Sequence, residues 1–132
     1  MKVFLVRAIM CVLVLNLGLA LSSSARAEES SVAIPLCGIL VGKAYKSEVE
    51  ADSRKPDKYK HCSLSCVMTL YCGPMESMEV GILKEIYDAL GFGTPDWKDI
   101  DADRVGVKIG VKQIANGDFS RGSCYRSCGA LY

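Results

Sequence analysis

The sequence predicts a mostly α-helical fold: a small disulfide-stapled domain of three to four helices over residues 28–132. Three observations predict it. Four cysteines form two C-x-x-x-C pairs, Cys62/Cys66 and Cys124/Cys128, and positions i and i+4 share one face of a helix. Apolar residues recur in segments closed by Gly73-Pro74 and by Gly91-Phe92-Gly93, both strong helix stops. An export signal precedes six of the seven cysteines, which suits a small domain in an oxidising compartment.

The export signal is residues 1–27. Lys2 and Arg7 flank the start of an apolar run from Val3 to Leu21, followed by three serines and Ala25-Arg26-Ala27. That order is the n-region, h-region and A-x-A site of a cleaved secretory signal. The alternative is a membrane anchor, since the run approaches the roughly 18–20 residues a span needs. Cys11 lies inside the run and no cysteine follows its end, so a lipoprotein anchor is not indicated. Lys2, Arg7 and Arg26 leave with the signal while all 15 acidic residues stay. The mature chain is therefore slightly acidic, with no basic patch to favour nucleic acid or an anionic membrane. Its expected location is periplasmic or secreted, with no stable membrane span after cleavage.

Residues 28–56 read as an extended N-terminal segment. Within it Ile34–Val41 is apolar and carries Cys37, as a strand or a buried helical turn, while Lys43–Lys60 reads mostly as a surface connection. A helix from Asp57 to Cys72 follows, with Pro56 at its start and Asp57 in its first turn. Pro74 opens the next helix, whose apolar face includes Met78, Ile82, Ile86 and Leu90. A third starts at Thr94-Pro95-Asp96, with Thr94 or Asp96 as its cap. Its later part is ambiguous, because Val105, Val107, Ile109 and Val111 alternate with Gly and Lys as a strand would. A helix is favoured there. Asn116-Gly117-Asp118 marks a turn, and a last short helix carries Cys124 and Cys128.

Six cysteines allow 15 connectivities, and the sequence alone does not choose among them. The spacing favours an antiparallel clamp, Cys62–Cys128 with Cys66–Cys124, leaving Cys37–Cys72. The rival is a zinc site built from the four clamp thiolates, with His61 nearby, although C-x-x-x-C is looser than the common zinc spacing.

The polar residues form an ordered set. His61 is the sole histidine. Glu85 and Asp88 are i, i+3 neighbours, and Asp99 and Asp103 are i, i+4 neighbours whose mutual repulsion calls for a cation. Lys84, Arg104, His61 or a metal ion can answer it. The order Asp57-Lys58-x-x-His61, Gly81-x-x-Lys84-Glu85-x-x-Asp88, Asp96-x-x-Asp99-x-x-x-Asp103-x-x-Gly106-x-x-x-Gly110 resembles the polar pattern of VanZ-like and YfiM-type bacterial envelope proteins. Comparable cysteine-bearing segments occur at the ends of Rhs-type proteins. The resemblance covers Asp57–Gly110. Asp103 stands where asparagine is common in VanZ-like chains, and their several membrane spans are lacking. It implies a role in the cell envelope and a shared site more readily than a reaction.

The functional expectation is that His61, Glu85, Asp88, Asp99 and Asp103 converge between helices, to bind a ligand or a divalent metal ion, or to do acid–base work. The competing reading is structural, since acids in a first helical turn, such as Asp96 and Asp99, are favoured by the helix dipole alone. Asp99-x-Asp101-x-Asp103 also begins like an EF-hand loop, but Arg104 and Gly110 replace the required glycine and glutamate. Ser63 and Ser65 lack a nucleophile elbow. The chain thus reads as an exported accessory or binding protein of the envelope. The alternatives are a hydrolase of an envelope component using the same residues, and a secreted interaction or antibacterial protein presenting Trp97, Phe92 and Tyr132.

Overall fold

The computed structural model describes residues 34–132; the expected signal, residues 1–27, and residues 28–33 lie outside them. Five helices follow one another: α1 (Leu36–Glu50), α2 (Asp57–Cys72), α3 (Pro74–Tyr87), α4 (Trp97–Ala115) and α5 (Arg121–Gly129). Among the described residues there is no strand, and no helix is long and apolar enough to cross a membrane.

α2 is the central element. Nine of its residues are buried, and it packs against all four other helices, most extensively against α4. Gly73 ends it with φ at 87°, a left-handed conformation that glycine adopts without a steric penalty. Its N–H donates to the Thr69 carbonyl, and Pro74 begins α3 at once. Asp96 caps α4 by accepting from the Lys98 N–H at 3.0 Å.

The cysteines are bridged as Cys37–Cys72, Cys62–Cys128 and Cys66–Cys124. The last two run between α2 and α5 in antiparallel order, and their four cysteines are completely buried. They are much of the core. Cys66 and Cys124 pack with Val67 and Leu70, while Cys62 and Cys128 pack with Tyr59. A chain this short buries a small apolar core, and cross-links compensate for it.

The N-terminal region departs from expectation. Leu36–Glu50 is a helix, so the described part of the expected extended segment 28–56 is mostly helical, and of the expected connection 43–60 only residues 51–56 connect helices. Among the described residues there are five α-helices instead of three to four. The reason is a stripe at 38, 41, 42, 45 and 49, with helical spacing, in which two positions are glycine. Gly38, Gly42 and Val49 are buried, and Val41 and Tyr45 pack on the core. Glycine carries no hydropathic signal, so the period is hidden. Tertiary contacts then hold the helix: the Gly38 N–H donates to Glu76 at 2.9 Å, and Arg121 pairs with Glu48 at 2.7 Å.

In 105–112 the helical reading holds, because Gly106 and Gly110 face α2 while Val105 and Ile109 reach the cysteine clusters. Alternation with glycine mimicked a strand.

Unlike the buried pair, Cys37 and Cys72 are only half-buried. Limited treatment with a dithiol, followed by alkylation, is therefore expected to label Cys37 and Cys72 first. Helicity should be kept, with a loss of about 4 kcal/mol from opening a 35-residue loop on the chain-entropy model. Mass mapping that finds Cys124 or Cys128 labelled first would contradict this order.

Candidate functional site

Lys58, His61 and Ser65 are spaced three and four apart, so they form one stripe along α2; Asp96, Asp99 and Asp103 do the same at the start of α4. The two helices run in the same direction, and the stripes meet as rungs. Lys58 Nζ lies 2.6 Å from Asp96 Oδ2 and also pairs with Asp99 Oδ1. His61 Nε2 is 3.3 Å from Asp99 Oδ2, and His61 Nδ1 is 3.1 Å from Asp103 Oδ1. The Ser65 hydroxyl donates to that same Asp103 oxygen at 2.8 Å. Asp57, one turn before His61, leaves its Oδ2 3.9 Å from Nε2.

Burial makes this ladder electrostatically strong. The Asp99 and Asp103 side chains are each 3% exposed and His61 is 10% exposed. Burial pushes the imidazole pKa down, but the Asp103 hydrogen bond and charge, joined by the Asp99 charge, outweigh it and hold it above the ordinary histidine value. Lys58 shows the same contest, burial being overcome by Asp96 and Asp99, so its ammonium is held strongly charged. Lys58 in turn keeps Asp96 below the usual carboxylate range, assisted by the Lys98 N–H.

Gly81 of α3 closes the ladder from the other side. A Cβ there would overlap the Asp103 carboxylate, so only glycine allows the buried acid to sit against α3. Asp103 Oδ2, which faces Gly81, has no hydrogen-bond partner among the described residues. The Ser77 hydroxyl donates to the Ser65 carbonyl at 2.8 Å and fixes α3 on α2.

Of the expected site residues, the structure brings His61, Asp99 and Asp103 together. Glu85 and Asp88 stand apart, around Lys84. Glu85 is fully buried; its Oε2 accepts from the Asp96 N–H at 2.8 Å and its Oε1 lies 3.2 Å from Lys84 Nζ. Asp88 pairs with Lys84 at 2.8 Å. Glu85 thus anchors the start of α4, and Asp96 joins the two groups. Asp101 faces outward to Arg104 at 3.1 Å, and its helix leaves no calcium loop. The thiols of the zinc alternative are all in disulfides. Trp97, Phe92 and Tyr132 are exposed, and Phe92 stacks on Tyr87 at 4.4 Å. Lys58 and Ser65 were not among the expected site residues, although their spacing from His61 signals the stripe.

A cleft of about 180 Å³ opens beside His61, between α1, α2 and α3. Val49, Leu64, Met68 and Val80 supply its apolar walls, and Lys46, Lys60 and Lys84 line it from three helices, with the acids Glu50 and Asp57 beside them. Lys84 is committed to Glu85 and Asp88 and Lys46 pairs with Glu50 at 3.9 Å, whereas Lys60 makes no ion pair among the described residues. Comparison with protein-family models, with curated proteins and with solved structures finds no match.

Proposed function

We propose that the protein is a small exported accessory protein of the bacterial cell envelope that binds an organic anion with an apolar body in the cleft beside His61. The observation that carries this reading is the lining of the cleft. Apolar side chains from three helices form its walls; His61 and three lysines border it together with Glu50 and Asp57, and of the lysines Lys60 alone makes no ion pair among the described residues. Such a cavity suits a ligand with one charged end, because pockets gain affinity from apolar burial and orientation from a few polar groups. Export is supported by the signal pattern of residues 1–27 and by the three disulfides; the envelope is supported by the polar order that resembles VanZ-like and YfiM-type proteins.

The same site offers less to a hydrolase. In its protonated form His61 turns both ring nitrogens toward carboxylates, and no lone pair is left to take a proton from a nucleophile.

Octanoate is a suitable probe, with octanol as its uncharged counterpart. Titration followed by amide chemical shifts is expected to give a Kd on the order of 0.1–1 mM for octanoate, roughly 0.5 kcal/mol per non-hydrogen atom. The shifts should centre on Leu64, Met68 and Val80. Octanol should bind more weakly, and Lys60→Met should weaken octanoate about fivefold while leaving octanol unchanged. Equal binding of the two probes, or shifts away from the cleft, would remove the basis for an anion site.

A further inference from the structure

We propose that Asp57, His61 and Asp99 form a binding site for one divalent transition-metal ion of the zinc type at the border of this cleft. The inference deepens the ligand-binding reading of the same site, but it rests on a separate geometry. One oxygen of each aspartate and Nε2 of His61 lie within 4.8 Å of one another. Bonds of about 2.0–2.2 Å in a tetrahedral shell place neighbouring donor atoms about 3.3–3.6 Å apart. The 3.3 Å between Nε2 and Asp99 Oδ2 matches that edge. Asp57 Oδ2 stands at 3.9 Å and has to close by a few tenths of an ångström; its side chain is 68% exposed in the first turn of α2, so rotation is free.

The surroundings divide the donor atoms in the way a metal site needs. Lys58 holds Asp99 Oδ1 and leaves Oδ2 directed at the imidazole. Asp103 receives Nδ1, the nitrogen turned away from the three-donor cluster. A metal-bound histidine commonly donates its other N–H to a carboxylate, which fixes the ring and its tautomer. Here that carboxylate is itself buried and held by Ser65. On binding, Nε2 releases its proton to solvent and gives its lone pair to the ion, while Nδ1 keeps its proton and donates it in a hydrogen bond to Asp103. Two carboxylates and a neutral imidazole then balance the charge of the ion. An imidazole with two carboxylates favours zinc or cobalt over magnesium or calcium, which prefer oxygen alone. Asp57 and His61 both line the cleft, so a fourth coordination position would face the ligand.

The test uses the disulfide-intact chain, stripped with chelator and free of octanoate. Calorimetric titration with zinc should show one ion per chain with a micromolar or tighter Kd, and cobalt should give the visible bands of a low-coordinate site. Asp57→Asn is at an exposed position where folding is not at stake, and it should weaken zinc at least about tenfold. His61→Gln should abolish binding. Asp103→Asn, a change at a positioning residue that touches no metal, should weaken it about 10–100-fold. No zinc uptake, or equal uptake by wild type, Asp57→Asn and His61→Gln, would overturn the site. The octanoate titration, repeated in chelator, separates the two readings. Octanoate binding without zinc binding removes the metal site alone; zinc binding without octanoate removes the anion reading alone.

Discussion

Gly106→Ala is expected to destabilise the domain by about 3 kcal/mol or more, the upper range for overpacking a core. A Cβ at Gly106 would overlap the Cys62 carbonyl oxygen and stand 2.9 Å from its carbon and 3.0 Å from the Cys66 nitrogen. These are backbone atoms, so no rotamer change relieves the contact. α2 also has little freedom to retreat, since Cys62 and Cys66 are themselves bridged to α5. For a domain of about 100 residues the melting temperature should fall by roughly 12–24 °C, read by circular dichroism without reductant. Gly117→Ala is the control. Its φ of 71° makes alanine costly by about 1 kcal/mol, but nothing lies within 4 Å of its Cβ. Comparable melting of the two variants would mean that α2 and α4 do not approach as closely as their glycines imply.

That same contact explains what could and could not be read from the chain. The bounds of α2 were legible, because Pro56 and Gly73-Pro74 act through local backbone geometry. So was the shared face of Asp99 and Asp103, which follows from i, i+4 spacing within one helix. The helix over 105–112 was only half legible. Its glycines erase the apolar period on the face where helix backbones touch, and Gly38 and Gly42 do the same to α1. In both helices the most intimate packing carries the weakest sequence signal.

The composition of the site depends on the relative placement of separate helices, and no spacing within one helix reports that. Gly106 against Cys62, and Gly110 against Thr69 and Cys66, set α2 and α4 side by side in one direction. Only in that register do Lys58, His61 and Ser65 meet Asp96, Asp99 and Asp103 as successive rungs. Glu85 has the same local pattern as a site acid, yet it turns to the Asp96 N–H. A buried carboxylate satisfied by a helix-start N–H is a structural solution that its sequence neighbours do not distinguish from a ligand.

Asp103→Ala should be costly for a different reason, and its cost should depend on pH. Removing one member of a buried ion pair leaves the other uncompensated, which costs about 3–5 kcal/mol. Here His61 would lose its Nδ1 partner and Ser65 its acceptor. The raised pKa of His61 sets the direction in wild type. Folding favours the imidazolium, so its contribution is complete below the unfolded value of about 6.5 and is lost as pH rises through the folded value. Denaturant unfolding in chelator should therefore show this contribution shrinking from neutral pH upward. Asp103→Asn can still accept from Nδ1 but lacks the carboxylate charge that, beside the hydrogen bond, raises the imidazole pKa, and its stability should vary less over that range. A wild-type profile in which this term grows with pH, or Asp103→Ala as stable as wild type at pH 6, would show that the imidazole is not held charged by the acids of α4.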